Sequence, residues 1–491
     1  MYTSISPIID LLVNFSVVFT APTFNKFINL ALGWIVCTGR HSISRVIQFF
    51  PDGLTRNHCP FYRFFSRDKW EPDDLTLQLL PLVLSFIPDF MTVFISIDDT
   101  LCYRSGAHIW GAGMHFDQLR SSYGKKAKKR TRVMAFGHSW VISSLLVPLP
   151  WSLSGFIAIP VAFRLYRSKK TCPEKDYKKR TELAVEMLDF ILRLIPLSRR
   201  IMVLGDDEYA CKPVLACVLA HKEADPHIGE PWGVSRQIDL CGPITMKAAF
   251  YQPLPSPSAK RKRGRPRRKG DRLPSPRQLA EDDSKPWETS TVSIYGRQVK
   301  ILHKSQVGWR YNITGARLLR MVVTRDPAGR IEDRAYFSTD ATMTEEEIII
   351  CYSRRWAQEV QHRNLKQFFG VDDPQNGWWR HPKGERRDQQ RPGAAAHETR
   401  GQDAVRRTVP FILTLYAVVV LWYLRHGNPT EDVARVLMRA PWNNRKGEVC
   451  FADMLSAARR ELLRPILFGE PQESRGFDEN AMRLLELLIA A

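Results

Sequence analysis

Apolar and polar positions change rhythm several times along this chain, and each change marks a new kind of element. Residues 1 to about 85 have helical spacing. Asn25 to Val36 reads as one helix, Cys37-Thr-Gly-Arg40 as a turn, and Ser42 to Phe50 as a second helix capped by Ser42. From Met91 the pattern becomes β-like. Thr92-Val-Phe-Ile-Ser-Ile97 is an apolar, β-branched run expected to be a buried strand ending at Asp98-Asp99-Thr100. Further strands are expected at Val133 to Val147 and Gly155 to Leu165, then an amphipathic helix from about Tyr177 to Leu194. Arg200 to Gly205 reads as another strand, ending at Asp206-Asp207-Glu208-Tyr209, and Ala210 to Leu219 as a helix.

Three strands, a helix, a strand and a helix is the order of an α/β, ribonuclease H-like core. In that arrangement the first and fourth strands are neighbours, so Asp98 and Asp206 should meet at their C-terminal ends, where ligands of open α/β sheets gather. Such a core needs one more acid from a late helix. Tyr352 to Lys366 lacks Gly and Pro and is expected to be helical throughout. At about 100° per residue, Tyr352, Arg355, Glu359 and Lys366 fall within roughly 60° of one another on that helix. One face would carry a carboxylate between two cations and a phenol. The alternative is a solvated helix with ordinary charge pairs four residues apart.

The expected division is a helical N-terminal DNA-binding region (1–85), a first core part (86–224), a β-rich insertion (225–345), the helix with the last acid (346–379), and a loop with C-terminal helices (380–491). Strand-like runs at Thr291 to Leu302 and Leu318 to Thr324 support a β character for the insertion. Gly370 to Arg407 reads as loop and Val409 to Leu424 as a buried helix, too short for the ~20 residues a membrane span needs. Ser139 to Phe163, broken by Pro148, Pro150 and Pro160, fits two buried strands better than a span.

Charge narrows the partner. Lys and Arg number 72 against 51 Asp and Glu, a net +21, and the excess is clustered: Lys260 to Arg272 holds nine basic residues and one acid. This favours a polyanion, nucleic acid or an anionic membrane surface. The nine cysteines are scattered without a C-x-x-C pair, which suggests neither a zinc framework nor disulfides and fits a reducing cytoplasm. With no basic, apolar leader at the N-terminus, a cytoplasmic, non-membrane protein is expected.

The spacing Y-x2-R-x3-E-x6-K at Tyr352, Arg355, Glu359 and Lys366 resembles the signature of a large group of bacterial insertion-sequence transposases with a DDE acidic trio. Asp98-Asp99-Thr100 and Asp206-Asp207-Glu208-Tyr209 resemble that family's D-x-T and D-x-x-Y patterns. Asp99 and Asp207 are adjacent rivals, since strand alternation lets one of each pair face the site. The resemblance implies a catalytic, metal-binding trio of Asp98, Asp206 and Glu359 with Mg²⁺ or Mn²⁺, two ions in all. It also implies strand cleavage and transfer on transposon ends and target DNA, a homodimer when two ends are synapsed, and backbone contacts by Tyr352, Arg355 and Lys366. Trp287 and Trp309 are candidates for stacking on a flipped base. Arg40, His41, Ser44 and Arg45 are candidate DNA contacts of a helix-turn-helix unit. Arg263-Gly264-Arg265-Pro266 matches an AT-hook core, with a nonspecific phosphate-binding loop as its alternative. A structure-specific nuclease on the same fold, or an inactive DNA-binding derivative, are the rival functions.

Overall fold

The computed structural model describes residues 6–49, 57–105, 109–121, 131–152, 155–223, 236–254, 267–375 and 399–468. Arg263 and Arg265, and residues 376–398 of the loop expected at Gly370 to Arg407, lie outside the described residues.

The first helices are α1 (Pro7–Val13), α2 (Ala21–Val36), α3 (Ile43–Val46), α4 (Cys59–Ser66) and α5 (Pro72–Leu84). α2 starts four residues earlier than its periodicity suggests, with Pro22 in the first turn, where a missing N–H costs nothing. The helix expected at 42–50 is shorter. Ser42 does cap it, accepting from the Arg45 N–H at 3.3 Å, but one α-turn gives way to a 3₁₀ turn at Ile47–Phe49. That is too short for a recognition helix.

Five strands form the central sheet: β1 (Val93–Tyr103), β3 (Met134–Pro148), β4 (Phe156–Tyr166), β5 (Ile201–Gly205) and β6 (Ile238–Ile244), with a short β2 (Gly113–Phe116) added to β3. Their order is β4–β3–β1–β5–β6; β1 is parallel to β5 and β5 to β6, while β3 runs antiparallel to β1. This is the mixed sheet of a ribonuclease H-like core. The crossover from β4 to β5 is α6 (Arg180–Leu194), and α7 (Lys212–Glu223) follows β5.

β1 does not stop at Asp98. It stays paired with β3 as far as Tyr103↔Gly137, whereas its pairing with β5 ends at Ile97↔Gly205. Thr100 and Cys102 are buried, so the stretch past the acids alternates as a half-buried strand should.

β6 lies within the range assigned by sequence to the insertion, yet pairs in parallel with core strand β5. On its other edge it meets β12 (Arg334–Ser338), reached through β7 (Phe250–Tyr251), β8 (Arg272–Leu273), α8 (Pro276–Glu281), β9 (Glu288–Ile294), β10 (Arg297–Trp309), α9 (Tyr311–Thr314) and β11 (Leu318–Arg325). Core and insertion strands thus form one twelve-stranded sheet.

Two helices, α10 (Glu345–Ser353) and α11 (Trp356–Phe368), replace the single helix expected at 352–366. Arg354 and Arg355 keep right-handed dihedrals but join the helices through i→i+3 bonds, a local tightening of the ladder. Tertiary contacts of these two arginines outweigh helix propensity: Arg354 stacks over Phe94 and Phe156 at 4.3 and 4.7 Å, and Arg355 reaches back to the sheet.

The C-terminal helices are α12 (Thr399–His426), α13 (Pro429–Arg439) and α14 (Phe451–Phe468). α12 spans 28 residues, so by length and composition it could cross a membrane. However, 94% of its apolar window is buried in the protein. One apolar core runs from Ile8 through the sheet to Ala458. Arg459 donates to the Ile35 and Cys37 carbonyls, and Arg407 to those of Trp70 and Phe65, tying the N-terminal helices to α12 and α14.

Candidate active site

The site begins where two parallel strands separate. Asp98 and Asp206 directly follow the last registered pair, Ile97↔Gly205. After Gly205 the chain turns sharply: a Cβ at Gly205 would lie 2.9 Å from the Ala210 nitrogen, so only glycine fits. Asp206 closes that turn by accepting the N–H groups of Glu208 at 2.8 Å and Tyr209 at 3.1 Å.

α11 brings the third carboxylate. Gln358 donates to the Ile142 carbonyl at 2.9 Å and Gln361 accepts from Ser144 at 2.9 Å, fastening the helix over β3. Glu359 lies between these anchors in sequence and is about one-third exposed. Arg355 then links β1 to α11: it donates to the Asp98 carboxylate at 3.0 Å through one terminal nitrogen and to Glu359 through the other. Asp206 is close enough for its charge to act on both Asp98 and Arg355. The structure thus gathers Asp98, Asp206, Glu359 and Arg355.

Burial pushes the Asp98 carboxyl up to about 8 against the pull of Arg355, with Asp206 and Asp99 adding repulsion. Burial also raises Asp206. Tyr352 stacks on Tyr336 with ring centres 4.6 Å apart, beside Arg355, and its phenol is pushed up to about 12 by burial. Lys366 is not joined to the carboxylates; its ammonium lies 5.3 Å from the Tyr103 ring, at the far end of β1.

The rival acids have different surroundings. Asp99 faces the other side of β1, where Ser139 donates to it at 3.1 Å, Tyr209 at 3.2 Å, and Arg180 lies 3.4 Å away. Asp207 is exposed.

Several expected contacts fall elsewhere. His41 is buried against Trp34 and Phe369, with its N–H on Asp373, so it cannot face DNA. Arg45 turns back to the Thr38 carbonyl at 3.0 Å. Trp287 is half-buried with Lys304 and Arg325 over its ring at 4.7 and 4.2 Å, and Trp309 is buried. Sequence reasoning missed an exposed aromatic pair. Tyr295, at the tip of the β9–β10 hairpin, meets Trp356 edge-to-face with centres 6.0 Å apart, near enough to Glu359 to feel its charge. The Tyr295-Gly296 turn was the available signal, since both residues have positive φ.

Residues 14–316 match the family described as DDE superfamily endonuclease. The chain belongs to that family. The match spans the strands carrying Asp98 and Asp206, and ends before Glu359. A search of curated proteins found no match. As a DDE endonuclease the chain is a metal-dependent nuclease acting on DNA. The carboxylates fit a divalent cation: the donors are all oxygen, and a positive ion would favour the ionised form that burial, with added repulsion from Asp206 and Asp99, disfavours at Asp98.

Proposed function

We propose that this DDE endonuclease is a DNA transposase of a bacterial insertion sequence, cutting transposon ends and joining them to target DNA. The observation that carries the reading is the convergence of Asp98 and Glu359 on Arg355 beside Asp206, because it joins the two acids of the sheet to the signature segment. Asp98, Asp206 and Glu359 would hold Mg²⁺ or Mn²⁺, two ions in all. Bound there, such ions lower the barrier to in-line displacement at a phosphodiester by activating the attacking oxygen and stabilising the leaving one.

The remaining work falls to the chain. Gln358 and Gln361 fix α11, so Glu359 keeps its place over the sheet edge. Arg355 neutralises the acids of the free enzyme. When DNA arrives it transfers one of its charge-assisted bonds to a phosphate, and Tyr352 and Lys366 grip the same backbone. Tyr295 and Trp356 offer exposed rings on which an unpaired end base can stack. A second copy of the chain would supply the other end of a synaptic pair.

The test is a labelled terminal-repeat duplex incubated with target DNA and Mg²⁺. Joined products support the transposase reading. Nicking without joining, at every target concentration, would leave only a structure-specific nuclease.

A further inference from the structure

We infer that Asp189, Cys217 and His221 form a zinc site between α6 and α7, chemically separate from the carboxylate trio. Cys217 and His221 are four residues apart on α7 and so share one helix face, while Asp189 comes from the facing turn of α6. The three ligand atoms lie within 4.8 Å of one another. The Cys217 thiol is 3.4 Å from Asp189 Oδ1, and His221 Nε2 is 2.8 Å from the same oxygen.

That convergence on one carboxylate oxygen is the protonated form of a metal site. Zinc bonds of about 2.0–2.3 Å at tetrahedral angles put ligand atoms about 3.3–3.6 Å apart. The sulfur–oxygen separation already matches; the nitrogen–oxygen one must open by about half an ångström. Asp189 has the room, since its side chain is 41% exposed. Cys217 and His221 are both buried, on helices whose Leu188, Leu192, Val214 and Val218 are buried as well. Binding releases the thiol proton, moves the imidazole proton from Nε2, where it faces the Asp189 carboxylate, to Nδ1, and replaces the hydrogen bonds with three metal bonds; water completes the tetrahedron. A thiolate–imidazole–carboxylate set selects zinc over magnesium, so the two sites do not compete for one ion.

The consequence is mechanical. α6 leads into β5 and α7 leaves from the Asp206 turn. A metal between these helices would staple both flanks of the strand that presents Asp206.

Co²⁺ is the probe, because a Co²⁺–thiolate bond gives a near-ultraviolet charge-transfer band and tetrahedral Co²⁺ gives intense visible bands. The full-length protein is expected to bind one Co²⁺ with both features and to exchange it for Zn²⁺. Cys217→Ser should abolish the charge-transfer band, and His221→Gln and Asp189→Asn should weaken Zn²⁺ binding at least about 100-fold, more than loss of an outer partner. Asp98→Asn should retain the band unchanged. Zn²⁺ should raise the melting temperature of the wild type but not of Cys217→Ser. Absence of the band in the folded wild type would overturn the site. So would a band that survives Cys217→Ser, which would place the thiolate elsewhere. Should Cys217→Ser fail to fold, His221→Gln with an unshifted Co²⁺ spectrum and affinity would overturn it equally.

Discussion

Asp98 and Asp99 are neighbours on one strand, and the two faces of that strand treat them in opposite ways. Asp99 is enclosed by a hydroxyl, a phenol and Arg180, fixed groups that satisfy its charge. Asp98 has one cationic partner, Arg355, which it shares with Glu359, and it lies within reach of other acids that repel it. One residue type therefore serves structure on the α6 side and is left in electrostatic tension on the α11 side. The same residue type thus meets two environments, one that satisfies its charge and one that disfavours it until a cation arrives, and the second is the one expected of a metal ligand.

Isosteric replacement separates the two faces of β1 most decisively. Asp98→Asn, Asp206→Asn and Glu359→Gln are each expected to slow Mg²⁺-dependent cleavage by about 10³-fold or more, roughly 4 kcal/mol of barrier, with end binding nearly unchanged in gel shifts. Asp99→Asn should stay within about tenfold of wild type. Equal losses on both faces would show that the division between them is false.

Stability should respond in the reverse order. Asp99→Ala leaves Arg180 short of a partner in a mostly buried position and should cost about 2 kcal/mol in urea midpoint experiments. For Asp98 the sign depends on pH. Its folded value, about 8, lies above the 3.8 of a free carboxyl, so the folded protein keeps a proton that the unfolded chain loses. Stability contributed by this group therefore falls as pH rises from about 4 to about 8. In chelator, Asp98→Asn should be more stable than wild type by about 5 kcal/mol at pH 8.5, with the gap closing towards pH 4. A pH-independent difference would mean that Asp98 is ionised throughout.

A smaller effect sharpens the role of Arg355. Removing the shared cation with Arg355→Gln should raise Mn²⁺ affinity of the DNA-free protein about tenfold, read by electron paramagnetic resonance, while weakening cleavage at low DNA concentration. Unchanged Mn²⁺ affinity would reduce Arg355 to a DNA contact. The smallest expected change is at the aromatic pair: Trp356→Ala and Tyr295→Ala should each lower end cleavage about fivefold, about 1 kcal/mol of stacking.

Much of the sheet was readable because its strands are continuous apolar, β-branched runs bounded by acids or prolines, and those signals are local. The neighbouring positions of Asp98 and Asp206 followed from strand order alone. What could not be read depends on distant partners. Alternation through Thr100 and Cys102 hinted that β1 continued, but its pairing with β3 decided it. The break at Arg354 has no Gly or Pro behind it; Phe94, Phe156 and Asp98 impose it from across the sequence. His41 read as a surface contact because nothing nearby announces Trp34 and Phe369 as its neighbours. Nor does scattered cysteine spacing reveal that Cys217 and His221 face an aspartate one helix earlier.

The arginine clamps between the two ends of the chain have a consequence during synthesis. Arg459 holds carbonyls 424 and 422 residues earlier, and Arg407 holds others more than 330 residues earlier. At about 5–20 residues per second, a nascent chain waits tens of seconds between making α2 and making the helices that cover it. Throughout that interval the apolar side of α2 lacks its final partners, and Arg355 and Glu359 are also still to come. A ribosome that stops before α12 releases an uncovered, aggregation-prone product, so full translation governs both solubility and the first appearance of a complete carboxylate site.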